Sequence, residues 1–257
     1  MPESLRSYLE FTTQTAYLAG KLTLEFFQSD LKVEYKSDQS PVTVADRKSE
    51  EFIRKQIAAK YPGHAITGEE FGMAGDEAAS HRWFIDPIDG TKSFVRGVPL
   101  YAVLIGLEIE GTIQVGAAYF PALDDMLSAA RGEGCWWNGR QAHVSQVRKL
   151  QDGVVAYTDL ENFEAYDRLE AWKRIQKAAY YRAGWGDAYG YALVATGRAE
   201  LMLDPVMNTW DCGPFPPIIK EAGGYFGDWQ GHETIYAGEA LATTATLLPE
   251  VLALIGT

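Results

Sequence analysis

Asp86 and Asp89 lie three residues apart in Asp86-Pro87-Ile88-Asp89-Gly90-Thr91, directly after the apolar stretch Trp83-Phe84-Ile85. A short strand over 82–85, ended by Pro87, delivers both carboxylates where the chain turns, and strand ends are rigid bases for reactive groups. Pro87 fixes its own φ and biases Asp86 away from helix, which stiffens the loop. Gly90 lets backbone approach a ligand, and Thr91 adds a hydroxyl. A helix opening at Gly90-Thr91 turns free N–H groups toward a phosphate. Carboxylates this close repel unless a cation lies between them. A hard divalent ion such as Mg²⁺ suits carboxylate, phosphate and water ligands together. Taken alone, the same run also reads as a solvated acidic turn with a capping aspartate. Further acids accompany it: Glu69 and Glu70 after Ile66-Thr67-Gly68, Asp46 after Pro41-Val42-Thr43-Val44-Ala45, and Asp211 after Asn208-Thr209-Trp210.

Apolar periodicity gives the elements that must position these groups. Residues 4–28 form an amphipathic helix, 31–36 are extended, and Ser37-Asp38-Gln39-Ser40-Pro41 is a turn. Asp46 is the expected N-cap of a second helix that runs to Lys60 and stops at Pro62-Gly63. Strands at 101–108, 112–120 and 126–130 make a meander, and Trp136-Trp137 flanks a hairpin turn at Asn138-Gly139. A second set follows: a strand at 154–157, helices at 162–177 and 190–196, and a strand at 199–203. It continues with a helix before Gly223-Gly224, a strand at 235–237 and a helix at 249–255. Such blocks indicate α+β layers. Residues 1–145 carry the main acidic motifs and 146–257 the remainder.

The chain has 257 residues, 47% apolar and 23% charged, as in ordinary soluble globular proteins. Its net charge of −12 argues against nucleic acid as a partner. No apolar run is long enough to span a bilayer, and Met1–Arg6 lacks a signal-peptide layout, so no membrane partner and a cytoplasmic setting are expected. Cys135 and Cys212 read as free thiols, and the four histidines, without ligand spacing, as loop or surface groups. An acidic protein can still handle a small phosphate ester if divalent ions reverse the local sign.

Together these segments resemble the inositol monophosphatase family of Mg²⁺-dependent, lithium-sensitive phosphatases. The matching pieces are Lys36, Val42-Thr43-x-x-Asp46, Gly68-Glu69-Glu70, Trp83 to Thr91 with Phe94 following, Trp210-Asp211, and Glu221-Ala222-Gly223-Gly224. The resemblance implies a layered αβαβα sandwich of the inositol monophosphatase/fructose-1,6-bisphosphatase type, a homodimer, and two to three Mg²⁺ per site. It implies Glu69, Asp86 and the Ile88 carbonyl as ligands of a first ion, and Asp86, Asp89 and Asp211 as ligands of a second, with Glu69 helping to hold a third. Thr91 and Asp46 would orient and deprotonate the attacking water, and the Gly90 and Thr91 N–H groups would hold the phosphate. Lys36 would contact metal-bound water. Phosphatases that pass through an aspartyl-phosphate show Asp-x-Asp-x-Thr instead, a spacing absent here.

The second half bears on the substrate. Asp204 lies where the family grips the substrate body, and it also reads as a strand-end aspartate before Pro205. Gly186-Asp187-Ala188-Tyr189-Gly190-Tyr191 ahead of Ala195-Thr196-Gly197 looks like the histidinol-phosphatase branch. Histidinol phosphate carries an ammonium and an imidazole, which suits acids such as Asp187 and Asp204. Asp187 also reads as a helix N-cap. The alternatives are inositol 1-phosphate, a 3′(2′),5′-bisphosphate nucleotide, and a non-enzymatic phosphate-binding protein. Pro214, Pro216 and Pro217 depart from the family's small residues after Asp211 and are expected to delay or distort the helix there.

Overall fold

The periodic apolar residues of the N-terminal stretch fold into α1 (Leu5–Leu24), capped by Ser4, whose hydroxyl accepts the Ser7 N–H at 3.2 Å. The structure is a computed structural model and describes residues 3–30, 32–36 and 41–256. Leu31 and the turn expected over Ser37–Ser40 lie outside them. A ribbon of β1 (Glu34–Tyr35) and β2 (Pro41–Val42) leads into α2 (Val44–Lys60). Thr43, not Asp46, is the N-cap of α2. Asp46 lies three residues in and reaches back to the Thr43 N–H at 2.8 Å, a capping box.

Next come β3 (Ala65–Gly68), β4 (Gly72–Ala74), β5 (His81–Asp89), α3 (Thr91–Val95), β6 (Ala102–Ile109), β7 (Thr112–Phe120), β8 (Asp125–Ala130), β9 (Gly134–Trp137) and β10 (Arg140–Gln141). The expected meander is there, inside an eight-stranded sheet of order β10-β9-β8-β7-β6-β5-β3-β4. β5 does not end before Pro87. Its partner moves from Leu104 at Asp86 to Ala102 at Asp89, three residues against two, so a bulge carries the strand on. A bulge is where a strand tolerates the missing proline N–H.

The second set comprises β11 (Val154–Ala156), α4 (Leu160–Ala165), α5 (Leu169–Ala178), β12 (Tyr181–Ala183), α6 (Asp187–Ala195), β13 (Leu201–Asp204), α7 (Thr209–Cys212), α8 (Phe215–Glu221), β14 (Gly224–Gly227), β15 (Ala240–Thr244) and α9 (Leu248–Ile255). Its sheet runs β12-β11-β13-β15-β14. The single helix expected over 162–177 is two, broken where Asp167 takes φ +56°. Residues 235–237 are loop, tied by the Tyr236 N–H donating to the Thr234 hydroxyl at 3.1 Å. The strand falls instead at β15, whose alanines and threonines, buried on both faces, give little period-2 signal.

Stacking these pieces gives five layers. α1 and α2 cover one face of the large sheet, with Ile53, Ile57, Trp83, Ile85 and Val103 in the core between. α6 and α8 fill the middle, against Phe84 and Leu104 on one side and Met202 and Phe226 on the other. α5 and α9 cover the far face of the small sheet through Trp172, Ile175 and Val251. His64 lies in the loop between α2 and β3, as expected, but its ring packs against the outer core rather than standing free. Its ring stacks 4.8 Å from Tyr61 and 4.4 Å from His81, and its Nδ1 accepts from Trp83 Nε1 at 3.0 Å. Burial pushes its pKa down to about 4. The other three histidines sit at the surface or half-buried, and both cysteines are free and buried.

Candidate active site

Side chains alternate along β5, so Trp83 and Ile85 enter the outer core while Phe84 enters the middle layer. Asp86 continues the Phe84 face and is buried, with Oδ1 accepting the Ile88 N–H at 2.9 Å. From the opposite side α7 supplies Asp211, the third residue of a capping box. Its Oδ2 accepts the Asn208 N–H at 2.8 Å and the Asn208 side-chain amide at 3.2 Å. Asp89 accepts the Ala188 N–H, in the first turn of α6, at 2.7 Å. One oxygen each from Asp86, Asp89 and Asp211 lies within 4.8 Å of the others.

Glu69 lines the same cleft beyond Asp86. Its N–H donates to the Ile85 carbonyl at 3.1 Å, and its carboxylate accepts Lys36 Nζ at 2.7 Å. Lys36 also donates to Glu70 at 2.6 Å, so it straddles two acids. The Thr91 hydroxyl donates to the Ile88 carbonyl at 3.0 Å and lies 3.5 Å from Asp46 Oδ1. Asp46 Oδ2 is occupied by the Thr43 N–H and hydroxyl, which leaves Oδ1 to face Thr91. Gly90 has φ +79°, and a Cβ there would lie 3.0 Å from the Leu100 carbonyl and 3.2 Å from Asp187 Oδ2. Only glycine suits that position.

Asp187 and Asp204 line the same cleft, of about 470 Å³, as the acidic cluster. Asp204 is buried and accepts the Tyr191 hydroxyl at 3.2 Å. The N-cap of α6 is Gly186; Asp187 opens the helix at φ +50°, its N–H donating to the Thr158 hydroxyl at 2.9 Å. The prolines after Asp211 do little harm. Gly213 and Pro214 keep helical backbone, and Pro216 and Pro217 fall in the first turn of α8, where N–H groups have no helical acceptor. They split the helix in two and leave Asp211 in place.

Thr158, Asp159, Asn162 and Lys92 also line the cleft, and sequence reasoning missed them. The first three lie in the loop after β11 and the start of α4, with no spacing relation to the other acids; only the sheet topology brings them near. Lys92 follows Thr91 directly, but an exposed lysine carries no local signal.

The acids are held toward neutrality. Burial, then Glu69, Asp89 and Asp211, push Asp86 well above its ordinary value, and burial with Asp187 and Asp211 does the same to Asp89. Burial raises Asp204 and Asp211 to about 7 and Asp46 and Asp187 to about 6. Crowded carboxylates raised in this way are what a bound cation relieves, and an all-oxygen donor set selects a hard divalent ion. The residues fit a metal.

A sequence profile described as the inositol monophosphatase family matches residues 4–255. The chain belongs to the inositol monophosphatase family. As a member it is a phosphoric monoester hydrolase with the family's layered fold. A histidinol-phosphatase of Chlorobaculum parvum is 44% identical over 91% of each chain. One from Streptomyces coelicolor is 37% identical over 98% of this chain and 97% of its own. Among solved structures, the extragenic suppressor protein suhB of Bartonella henselae superposes with a TM-score of 0.90 at 27% identity, covering 97% of this chain and 98% of that one.

Proposed function

We propose that this chain hydrolyses L-histidinol phosphate to L-histidinol and phosphate, a step of histidine biosynthesis, with Mg²⁺ as cofactor. One observation supports the reading: two acids with raised pKa, the half-buried Asp187 and the buried Asp204, line the same cleft as the Asp86–Asp89–Asp211 cluster. A substrate with an anionic phosphate and a cationic body matches that layout, the phosphate toward the cluster and the ammonium or imidazole toward those two acids. In this reading Glu69, Asp86, Asp89, Asp211 and the Ile88 carbonyl hold two to three Mg²⁺. When bound, the ions supply charge neutralisation, polarisation of the phosphoryl group and a lowered pKa for water.

The chain's own groups do the rest. The Thr91 hydroxyl, placed between the Ile88 carbonyl and Asp46, orients the attacking water and passes its proton toward Asp46 Oδ1. Raised to about 6, Asp46 is an acid poised near neutral pH, as a general base should be. Glu69 shares that work, and Lys36 fixes Glu69 by donating to its carboxylate. The Gly90 and Thr91 N–H groups at the start of α3 hold phosphate oxygens, a task that helix starts perform well. Residues 1–145 thus supply the reaction, and 146–257 supply the substrate wall and the last metal ligand.

The reading includes a cytoplasmic, lithium-sensitive homodimer. Support for association comes from β12, a sheet edge flanked by the exposed rings of Tyr180 and Trp185. Among the described residues, no helix is long and apolar enough to cross a membrane. The family description favours a second reading, inositol 1-phosphate at the same cluster, with bisphosphonucleotides a further variant. Growth of a host lacking histidinol phosphatase tests the choice. The gene should restore histidine-independent growth, and its Asp89→Asn form should not. Failure of the well-expressed wild-type gene would overturn the substrate assignment.

A further inference from the structure

Glu50 is fully buried, yet it belongs to none of the roles above. It lies one helical turn beyond Asp46 on the same face of α2. Its Oε2 accepts the Glu70 N–H at 2.7 Å. Its Oε1 accepts Arg54 Nε at 2.7 Å and the Phe71 N–H at 3.3 Å. Arg54 in turn donates through Nη2 to the Gly72 carbonyl. The ion pair therefore grips donors and an acceptor of the turn that joins β3 to β4. Gly68 completes the fit, because a Cβ there would fall 2.1 Å from Glu50 Oε1.

Glu69 sits inside that turn. Its own N–H is fixed by Ile85, its neighbour's by Glu50, and its carboxylate lies close enough to Asp86 to raise the Asp86 pKa. We infer that Glu50 is a positioning residue for metal binding: through the Gly68–Gly72 turn it aims Glu69 at the Asp86–Asp89–Asp211 cluster. The inference rests on the reading of Glu69 as a metal ligand. A glutamine at position 50 keeps the shape but turns one acceptor into a donor, which must face a backbone N–H or Arg54.

The test is titration calorimetry of Mg²⁺ into the substrate-free protein, run on wild type, Glu50→Gln, Glu69→Gln and the double variant. Glu50→Gln should raise the Mg²⁺ dissociation constant about 10- to 100-fold, the usual effect of losing a group that orients metal ligands, and excess Mg²⁺ should restore kcat. The double variant should bind no more weakly than Glu69→Gln, since the two act along one path. A lowered Tm with unchanged Mg²⁺ affinity in Glu50→Gln, or additive losses in the double variant, would overturn the role of Glu50. Unchanged affinity in Glu69→Gln would instead overturn the ligand assignment of Glu69. Should Glu50→Gln not fold, Arg54→Gln loosens the same grip and should weaken Mg²⁺ binding likewise; unchanged affinity there would also overturn the proposal.

Discussion

Asp46 and Asp211 reach the site by the same local device. Each is the third residue of a helix, and each turns one oxygen back onto the N-cap, which leaves the other to face Thr91 in Asp46 and the cluster in Asp211. The helix start thus holds an acid rigidly at the end of the macrodipole that favours it. Asp89 also leans on a helix start, the Ala188 N–H, but it stands inside the cluster. Asp89→Asn should therefore cut phosphate release by more than about 100-fold, beyond the range for groups that only support ligands, with an unchanged circular dichroism spectrum. Activity surviving that change would remove Asp89 from the ligand set. The acids also predict how stability depends on pH. Asp46, Asp187, Asp204 and Asp211 have pKa values raised from 3.8 to about 6 or 7, so the native chain binds more protons than the unfolded one across that window. Their contribution to stability is full below the unfolded value and is lost as pH rises through 6 to 7. Metal-free protein should melt at a lower temperature near about pH 8 than about pH 5, and Mg²⁺, which needs deprotonated ligands, should raise Tm more at the higher pH. Melts in chelator and in Mg²⁺ at both pH values check the sign; a larger Mg²⁺ effect at the lower pH would contradict it.

Elements bring these residues together through backbone contact. A Cβ at Gly106 of β6 would lie 2.3 Å from the Gly213 carbonyl oxygen, and one at Gly116 of β7 would lie 2.1 Å from that of Pro214. The α7–α8 junction therefore lies directly on the large sheet, and that contact sets Asp211 opposite Asp86. Gly116→Ala should destabilise the fold by about 1–3 kcal/mol, the usual cost of overpacking, and lower activity as α7 shifts. Gly63→Ala, where a Cβ meets nothing within 4 Å, is the control. Urea unfolding of both variants decides, and equal midpoints would contradict the argument. Such contacts also mark where the sequence stops being readable. α1, α2 and the β6–β8 meander were legible because apolar residues repeat with one clear period. The bulge that carries β5 through Pro87, the break at Asp167 and the strand at β15 depend on neighbours far along the chain. Within the site, acid types and spacings were legible, as was the glycine at position 90. Thr158, Asn162 and the Glu50–Arg54 grip were not, because a polar side chain gives no sign of its partner until the fold supplies it.

At the scale of the whole molecule, two sheets share one middle layer, and residues from both halves of the chain line the cleft. If Asp187 serves recognition, as proposed, reaction and selectivity are separable. Asp187→Asn should lower kcat/KM for histidinol phosphate by about 10- to 100-fold, the worth of a hydrogen bond to a charged group. Turnover of an uncharged ester such as inositol 1-phosphate should change far less. Equal losses on both substrates would place Asp187 in the reaction rather than in recognition. The most direct measurement is kcat/KM of the purified protein with Mg²⁺ on histidinol phosphate, inositol 1-phosphate and a 3′,5′-bisphosphonucleotide. The account predicts that histidinol phosphate is turned over best and that a chelator abolishes all phosphate release. Histidinol phosphate turned over no better than the other two, or hydrolysis persisting without metal, would contradict it.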